Sequence, residues 1–323
     1  MMWRSPEPRY DVATGLAQGG RDYQEDAIVS DFSFGLDSGI AVLADGMGGH
    51  EAGDVASKLV VTEVYNELKF ASATFAETEE NIPGLLRRAT DEANHSVAEY
   101  VQRNPAATGM GATLVSLVLV ENRMYWVSVG DSPLYLLRDG QLRQLNDDHS
   151  LAPQIDFMVE QGLMDPDVAE VHPDRNCLTS VIMGSSIPKC DCPMKSFELQ
   201  LNDVVIVSSD GLQNLGDAKL EKVLHRYRKR KSAELAGHLL QAIEAHGDPD
   251  QDNVSFSVIK LNHMKAVDRK VVSKPIGDVM ADADNATRVI AMPDPEEMRA
   301  RGNREDEAEN EGVFESKRAV GER

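Results

Sequence analysis

Apolar runs in this chain stop on acidic residues. Ile40-Ala41-Val42-Leu43-Ala44 runs into Asp45-Gly46, Trp126-Val127-Ser128-Val129 into Gly130-Asp131, and Val204-Val205-Ile206-Val207 into Ser208-Ser209-Asp210. Two more acidic clusters, Glu25-Asp26 and Asp252-Asn253, stand at strand ends or turns. A carboxylate at the end of a buried strand is costly unless it is paired, capped or bound to a cation. One such aspartate is ordinary turn chemistry, because its side chain bonds the backbone two residues on. Five such clusters, far apart in sequence, imply a fold that gathers strand ends around positive charge.

The runs themselves read as Gly39–Ala44, Thr113–Val120, Met124–Val129, Leu134–Leu137, Asp203–Ser208 and Val254–Ile259. Glu121-Asn122-Arg123 and the tight-turn signal Asp139-Gly140 join neighbours over very short distances, which antiparallel strands allow and parallel ones do not. Helical spacing appears at Val55, Leu59, Val60, Val64 and Leu68, again at Leu85, Leu86, Ala89, Ala93, Val97 and Val101, and a further helix is expected over Ser232 to Ala245. The expectation is an α+β fold with helices covering antiparallel sheets.

Composition excludes several functions. The chain has 33 basic and 54 acidic residues and a net charge of −21, so phosphate-rich nucleic acid and anionic lipid are repelled. The longest apolar run, Thr113 to Val120, is too short to cross a bilayer. Three cysteines, Cys177, Cys190 and Cys192, do not make a disulfide framework, and a reducing, cytoplasmic setting is expected. The composition shifts near residue 262. A folded domain over 8–262 and an acidic, disordered tail over 263–323 are expected, since residues 281–323 hold 12 acidic and 7 basic residues with no period.

Carboxylates without matching histidines or thiolates suit hard cations, magnesium or manganese. Two such ions about 3.5–4 Å apart can share a bridging hydroxide and support in-line attack on phosphorus, so no protein nucleophile is needed. No Ser/His/Asp or Cys/His arrangement offers one. Phosphate also needs a cationic clamp. Arg21, four residues before Glu25, brings a guanidinium that can grip two phosphate oxygens at once. Cys190-Asp191-Cys192 lacks the second thiol pair a metal site would want. Met47 and Met110, beside glycines, read as packing residues.

The ordered series of motifs resembles the metal-dependent protein serine/threonine phosphatases, the protein phosphatase 2C type in its bacterial form. Arg21-Asp22-Tyr23-Gln24-Glu25-Asp26 is similar to the family's opening motif, with Gln24 in place of the usual Asn. Ala44-Asp45-Gly46-Met47-Gly48-Gly49-His50 with Gly53, Gly109-Met110-Gly111-Ala112-Thr113-Leu114 and Val129-Gly130-Asp131-Ser132 follow. Asn146 to Ser150, His172 to Thr179, Ser209-Asp210-Gly211-Leu212 and Gln251-Asp252-Asn253-Val254 complete it in order, over about residues 10–260.

The resemblance implies a four-layer α/β/β/α sandwich, two antiparallel sheets flanked by helices, with the catalytic cleft at one edge. It implies that Asp26, Asp45, Asp210 and Asp252 hold two central Mn2+ or Mg2+ ions together with the Gly46 carbonyl. Asp131 with Asp210 would match a third, weaker metal site. Glu25 would hold a metal-bound water, and Arg21 would bind the substrate phosphate. Residues 151–185 would form a mobile flap. The implied activity is hydrolysis of phosphoserine and phosphothreonine in proteins by a metal-bridging hydroxide, opposing a serine/threonine kinase. Two departures stand out. Met47 replaces the histidine that eukaryotic members place after Asp-Gly, which leaves the general acid unassigned. Ser180-Val181-Ile182-Met183-Gly184 lacks the family's usual Arg near the flap. The rival readings are a non-catalytic phosphoprotein-binding module of the same fold and a phosphatase of small phosphate esters. Loss of a core aspartate would favour the first, and none is missing; turnover on phosphopeptide against free metabolites separates the second.

Overall fold

The computed structural model describes residues 8–33, 37–48 and 52–262; the acidic segment 263–323 and His50 lie outside them. In chain order the elements are β1 (Tyr10–Ala17), β2 (Asp26–Asp31), β3 (Ser38–Met47), α1 (Ala52–Ala71), α2 (Ile82–Arg103), β4 (Gly111–Ala112), β5 (Leu114–Val120), β6 (Arg123–Val129), β7 (Leu134–Arg138), β8 (Gln141–Gln144), α3 (Ala152–Glu160), α4 (Pro166–Glu170), β9 (Phe197–Glu198), β10 (Val204–Ser208), α5 (Asp217–Tyr227), α6 (Ser232–Glu244) and β11 (Val254–Leu261).

The strands form two antiparallel sheets. One runs β1-β11-β10-β7-β8; the other runs β2-β3-β5-β6-β9, with β4 pairing β3. Side chains on a strand alternate between faces, so a sheet covered on both sides needs apolar residues at every position. That is why Ile40–Ala44 of β3, Leu117–Val120 of β5 and Val204–Val207 of β10 read as unbroken apolar runs. Ile40, Val42 and Ala44 of β3 face α1 and α2, among Val60, Val64, Leu86 and Ala93. Ala41 and Leu43, between them, face the other sheet, among Leu117, Leu134, Leu136, Val205, Val207 and Ile259. Val204 and Ile206 of β10 turn the opposite way, into a third core with Phe256, Leu220, Leu224, Leu235 and Leu239 of α5 and α6. Three cores separate four layers, helices, sheet, sheet, helices, as the sandwich expectation required.

The expected helices correspond to α1, α2 and α6, the last ending at Glu244, one residue short of the expected Ala245. Pro83 sits in the first turn of α2, where its missing N–H costs nothing. The helix stops at Asn104, whose N–H returns to the Tyr100 and Val101 carbonyls, just before Pro105. Sequence spacing did not announce β1, β2, α3, α4 or α5. Residues 151–185 carry two short helices, and backbone bonds anchor them at both ends: Leu151 N–H donates to the Cys177 carbonyl at 3.0 Å and Thr179 N–H to the His149 carbonyl at 2.7 Å. Among the described residues, no helix is long and apolar enough to cross a membrane.

Candidate active site

The strand ends meet as the sequence predicted. Asp26 opens β2 and Asp45 lies near the end of β3, directly opposite one another in the antiparallel register. Like charges facing each other across a ladder destabilise it, so this pairing marks a site where sheet stability has been traded for charge. From the other sheet, Asp210 follows β10 and starts a 3-10 turn (Asp210–Leu215), while Asp252 lies two residues before the start of β11. Asp131 follows β6, on the crossing from one sheet to the other. Asp45, Gly46, Asp131, Asp210 and Asp252, with Arg21 and Glu25, line a cleft of about 660 Å3. Asp26 is not among the residues that line the cleft; it is buried, and its charge is felt at Asp45.

The electrostatics are those of acids crowded without enough compensation. Burial raises the Asp26 carboxyl to about 6, with Asp210 and Asp252 adding to the rise while the Ser209 and Ser255 hydroxyls oppose it. Burial pushes Asp45 well above the usual carboxylate range, and Asp26, Asp210 and Asp131 push it further. Asp131 rises to about 7 through burial, then through Asp210 and Asp148. Asp210 is raised for the same first reason, although Arg21 pulls it back.

Protein groups satisfy part of this set. The Arg21 guanidinium lies 2.5 Å from Asp252 Oδ2. Ser209 Oγ donates to Asp26 Oδ2 at 2.8 Å. Asp26 Oδ1 and Asp210 Oδ1, however, are buried without any hydrogen-bond partner. A buried carboxylate oxygen without a donor is costly, and a hard divalent cation supplies what is missing. The donor set, all oxygen, fits magnesium or manganese. Among the described residues no three acidic, histidine or cysteine side chains already close into a metal cage.

Backbone packing explains two glycines. A Cβ on Gly46 would fall 2.1 Å from the Gly53 carbonyl oxygen and 2.6 Å from that of Glu25. One on Gly53 would meet Glu25 Oε1 at 2.4 Å. The bare chain lets Gly46 N–H donate to the Glu25 carbonyl at 3.1 Å and lets the Glu25 carboxylate reach the cleft wall.

Several positioning groups carried no assignment in the sequence. Asn253, buried, accepts the Glu25 N–H at 2.7 Å on Oδ1 and donates from Nδ2 to the Gln18 and Tyr23 carbonyls at 2.7 and 3.0 Å. One amide thus fixes the whole turn that presents Arg21 and Glu25. Thr113 Oγ1 accepts the Asp45 N–H at 3.0 Å and lies 2.6 Å from Ser132 Oγ. From the 151–185 segment, Asn176, Cys177, Leu178, Val181 and Met183 complete the cleft wall. Met110 packs in the core as expected. Met47 corrects the packing expectation: it is 40% exposed and lines the cleft, because its place at the end of β3 turns it off the sheet core. No histidine among the described residues lines the cleft.

A model of the protein phosphatase 2C family matches residues 22–250. The serine/threonine phosphatase stp of Listeria welshimeri is 32% identical over 227 residues, covering 70% of this chain and 86% of that protein. Among solved structures, the Mycobacterium tuberculosis serine/threonine phosphatase PstP/Ppp matches with a TM-score of 0.65 at 29% identity, over 79% of this chain and 99% of that one. The catalytic domain of PstP in complex with two manganese ions matches with a TM-score of 0.60 at 28% identity, over 78% of this chain and 98% of that one.

Proposed function

The chain belongs to the protein phosphatase 2C family, and on that premise we propose how its own residues remove phosphate from phosphoserine and phosphothreonine in protein substrates. Asp26, Asp45, Asp210 and Asp252, with the Gly46 carbonyl, hold two divalent ions of manganese or magnesium; Asp131 and Asp210 offer a weaker third position. When bound, the ions supply a hydroxide nucleophile and neutralise phosphate charge. Glu25, packed against Gly53, orients water at the cleft wall. Arg21, exposed at the rim, turns from Asp252 to the phosphate and holds it for in-line displacement. The enzyme acts in the cytoplasm against a serine/threonine kinase.

The observation that carries this reading is the pair of buried, partnerless oxygens, Asp26 Oδ1 and Asp210 Oδ1, one from each sheet, with an exposed arginine beside them. The test is hydrolysis of p-nitrophenyl phosphate and of a phosphothreonine peptide with manganese, with magnesium and with chelator, by the native chain and by Asp210→Asn. Metal-dependent turnover that vanishes in the variant is the expected result. Turnover undiminished by chelator overturns the assignment. Turnover confined to small esters assigns a different substrate class.

A further inference from the structure

In a chain of net charge −21, five of the 33 basic residues fall in six consecutive positions: Arg226, Arg228, Lys229, Arg230 and Lys231 around Tyr227. Cations in the last turn of a helix offset its dipole, which accounts for His225 and Arg226 at the end of α5. It does not account for Arg228 to Lys231, which lie at and beyond the cap, where that effect fades. The connector is also held in place. Arg230 N–H donates to the Tyr227 carbonyl at 2.8 Å, Ser232 N–H to Asp11 Oδ2 at 2.8 Å, and the Lys260 ammonium to the Arg230 carbonyl. The Tyr227 ring stacks on His238 with centroids 3.6 Å apart. Among the described residues the acids near it include Glu234, 3.7 Å from Arg230, Asp11, which accepts the Ser232 N–H, and Asp139 across the adjoining cleft.

That cleft, about 460 Å3, lies between the Asp139-Gly140 turn, Asn202 and the end of α5, with Arg228 and Lys229 on its wall. Asn202 precedes β10 and Asp210 follows it, so the cleft opens at the opposite end of that strand from the carboxylates, roughly 25 Å away at the rise of an extended chain. We propose that this cleft and its strip of cations dock an acidic segment of the phosphoprotein substrate, remote from the phosphorylated residue being cleaved. The overall negative charge steers nucleic acid away, whereas a short acidic tract on a flexible segment can meet the strip alone. The proposal rests on the phosphatase reading above.

The test compares two phosphothreonine peptides, one with a Glu tract about fifteen residues from the phosphothreonine, enough chain to span the separation with slack, and one with Gln in its place. The native chain is set beside Arg228→Glu/Lys229→Glu and the milder Lys229→Gln/Lys231→Gln. For the native chain, KM is expected to be roughly three- to tenfold lower for the Glu peptide, as a few exposed ion pairs allow. The advantage disappears in both variants and at about 0.5 M salt, while p-nitrophenyl phosphate turnover is unchanged throughout. Equal KM for the two peptides, or an advantage that survives both variants, overturns the proposal. Displacement of a fluorescent Glu peptide by a DNA oligomer at lower concentration than by unlabelled Glu peptide also overturns it, in favour of nucleic acid. Because peptide binding is read without turnover, an inactive chain would defeat the phosphatase reading while leaving the docking site still measurable.

Discussion

Ser209 Oγ donates to Asp26 Oδ2 across 2.8 Å, joining the end of a strand in one sheet to the first residue of a strand in the other. The same oxygen accepts the Ser255 N–H at 3.0 Å, and Ser209 is fully buried. Ser209→Ala therefore strands two polar groups at once. It is expected to lower unfolding free energy by about 2–3 kcal/mol in chelator and to weaken manganese binding measured by calorimetry. Unchanged stability and unchanged affinity together would remove Ser209 from any positioning role.

Arg21 provides a second test. Its guanidinium can hold two phosphate oxygens in a fixed fork, and a lysine ammonium cannot. Arg21→Lys is expected to raise KM for p-nitrophenyl phosphate and to weaken inhibition by inorganic phosphate roughly tenfold, with a smaller effect on kcat. Thermal stability changes little, since the Arg21–Asp252 pair is partly exposed and Lys keeps the charge. Inhibition by phosphate that is as strong as in the native chain would assign the clamp to another residue.

Asp131 gives a pH dependence whose sign follows from burial. Its carboxyl rises from 3.8 to about 7 in the folded chain. A raised acid favours the folded state while it is protonated, and that contribution fades as pH climbs between those values. In chelator, Asp131→Asn should match the native chain near pH 4 and exceed it in stability by about 1–3 kcal/mol at pH 8. Saturating manganese should narrow the gap, and urea titrations across pH would read both. A gap that does not vary with pH removes Asp131 from the buried, strained set.

Asn253 secures the turn that carries Arg21 and Glu25 through three side-chain hydrogen bonds. Asn253→Ala removes all three and leaves buried backbone groups unpaired, a loss of about 2–4 kcal/mol. The chain is expected to bind manganese less tightly and to lose phosphate affinity as well, because both groups on the turn shift together. Proteolysis within residues 18–25 should accelerate. Native protease resistance there would show that the turn holds its own shape.

How much of this was legible depended on where burial is complete. Ile40 to Ala44 and Val204 to Val207 lie between two covered faces, so every side chain is apolar and the runs stand out. β1 and β2 are edge strands of their sheets and only half-buried, so Thr14, Ser30 and Asp31 interrupt them and the strand signal fades. Helix α5 buries only Leu220 and Leu224, too narrow a stripe to register beside its charges. The aspartates were legible because an acid after an apolar run is chemically conspicuous, and the family resemblance gave them roles. Ser209, Thr113 and Asn253 were not, because Ser, Thr and Asn at turns are commonplace and only the folded register shows what they hold. Asp26 facing Asp45 is the register's own contribution: two acids 19 positions apart in sequence gave no hint of being opposed.

The division of the carboxylates has a last consequence. Asp26 and Asp45 belong to one sheet, Asp210 and Asp252 to the other, and the core of Leu43, Leu117, Leu136 and Val207 is what closes the gap between them. On the proposed ligand assignment, neither sheet alone carries all four carboxylates. On that assignment the site needs both sheets in place, and a chain that lacks β11 and the residues just before it has no Asp252 to contribute. Ions held by that set would act as rivets through the seam, so their removal should loosen the join between the sheets before either sheet unravels.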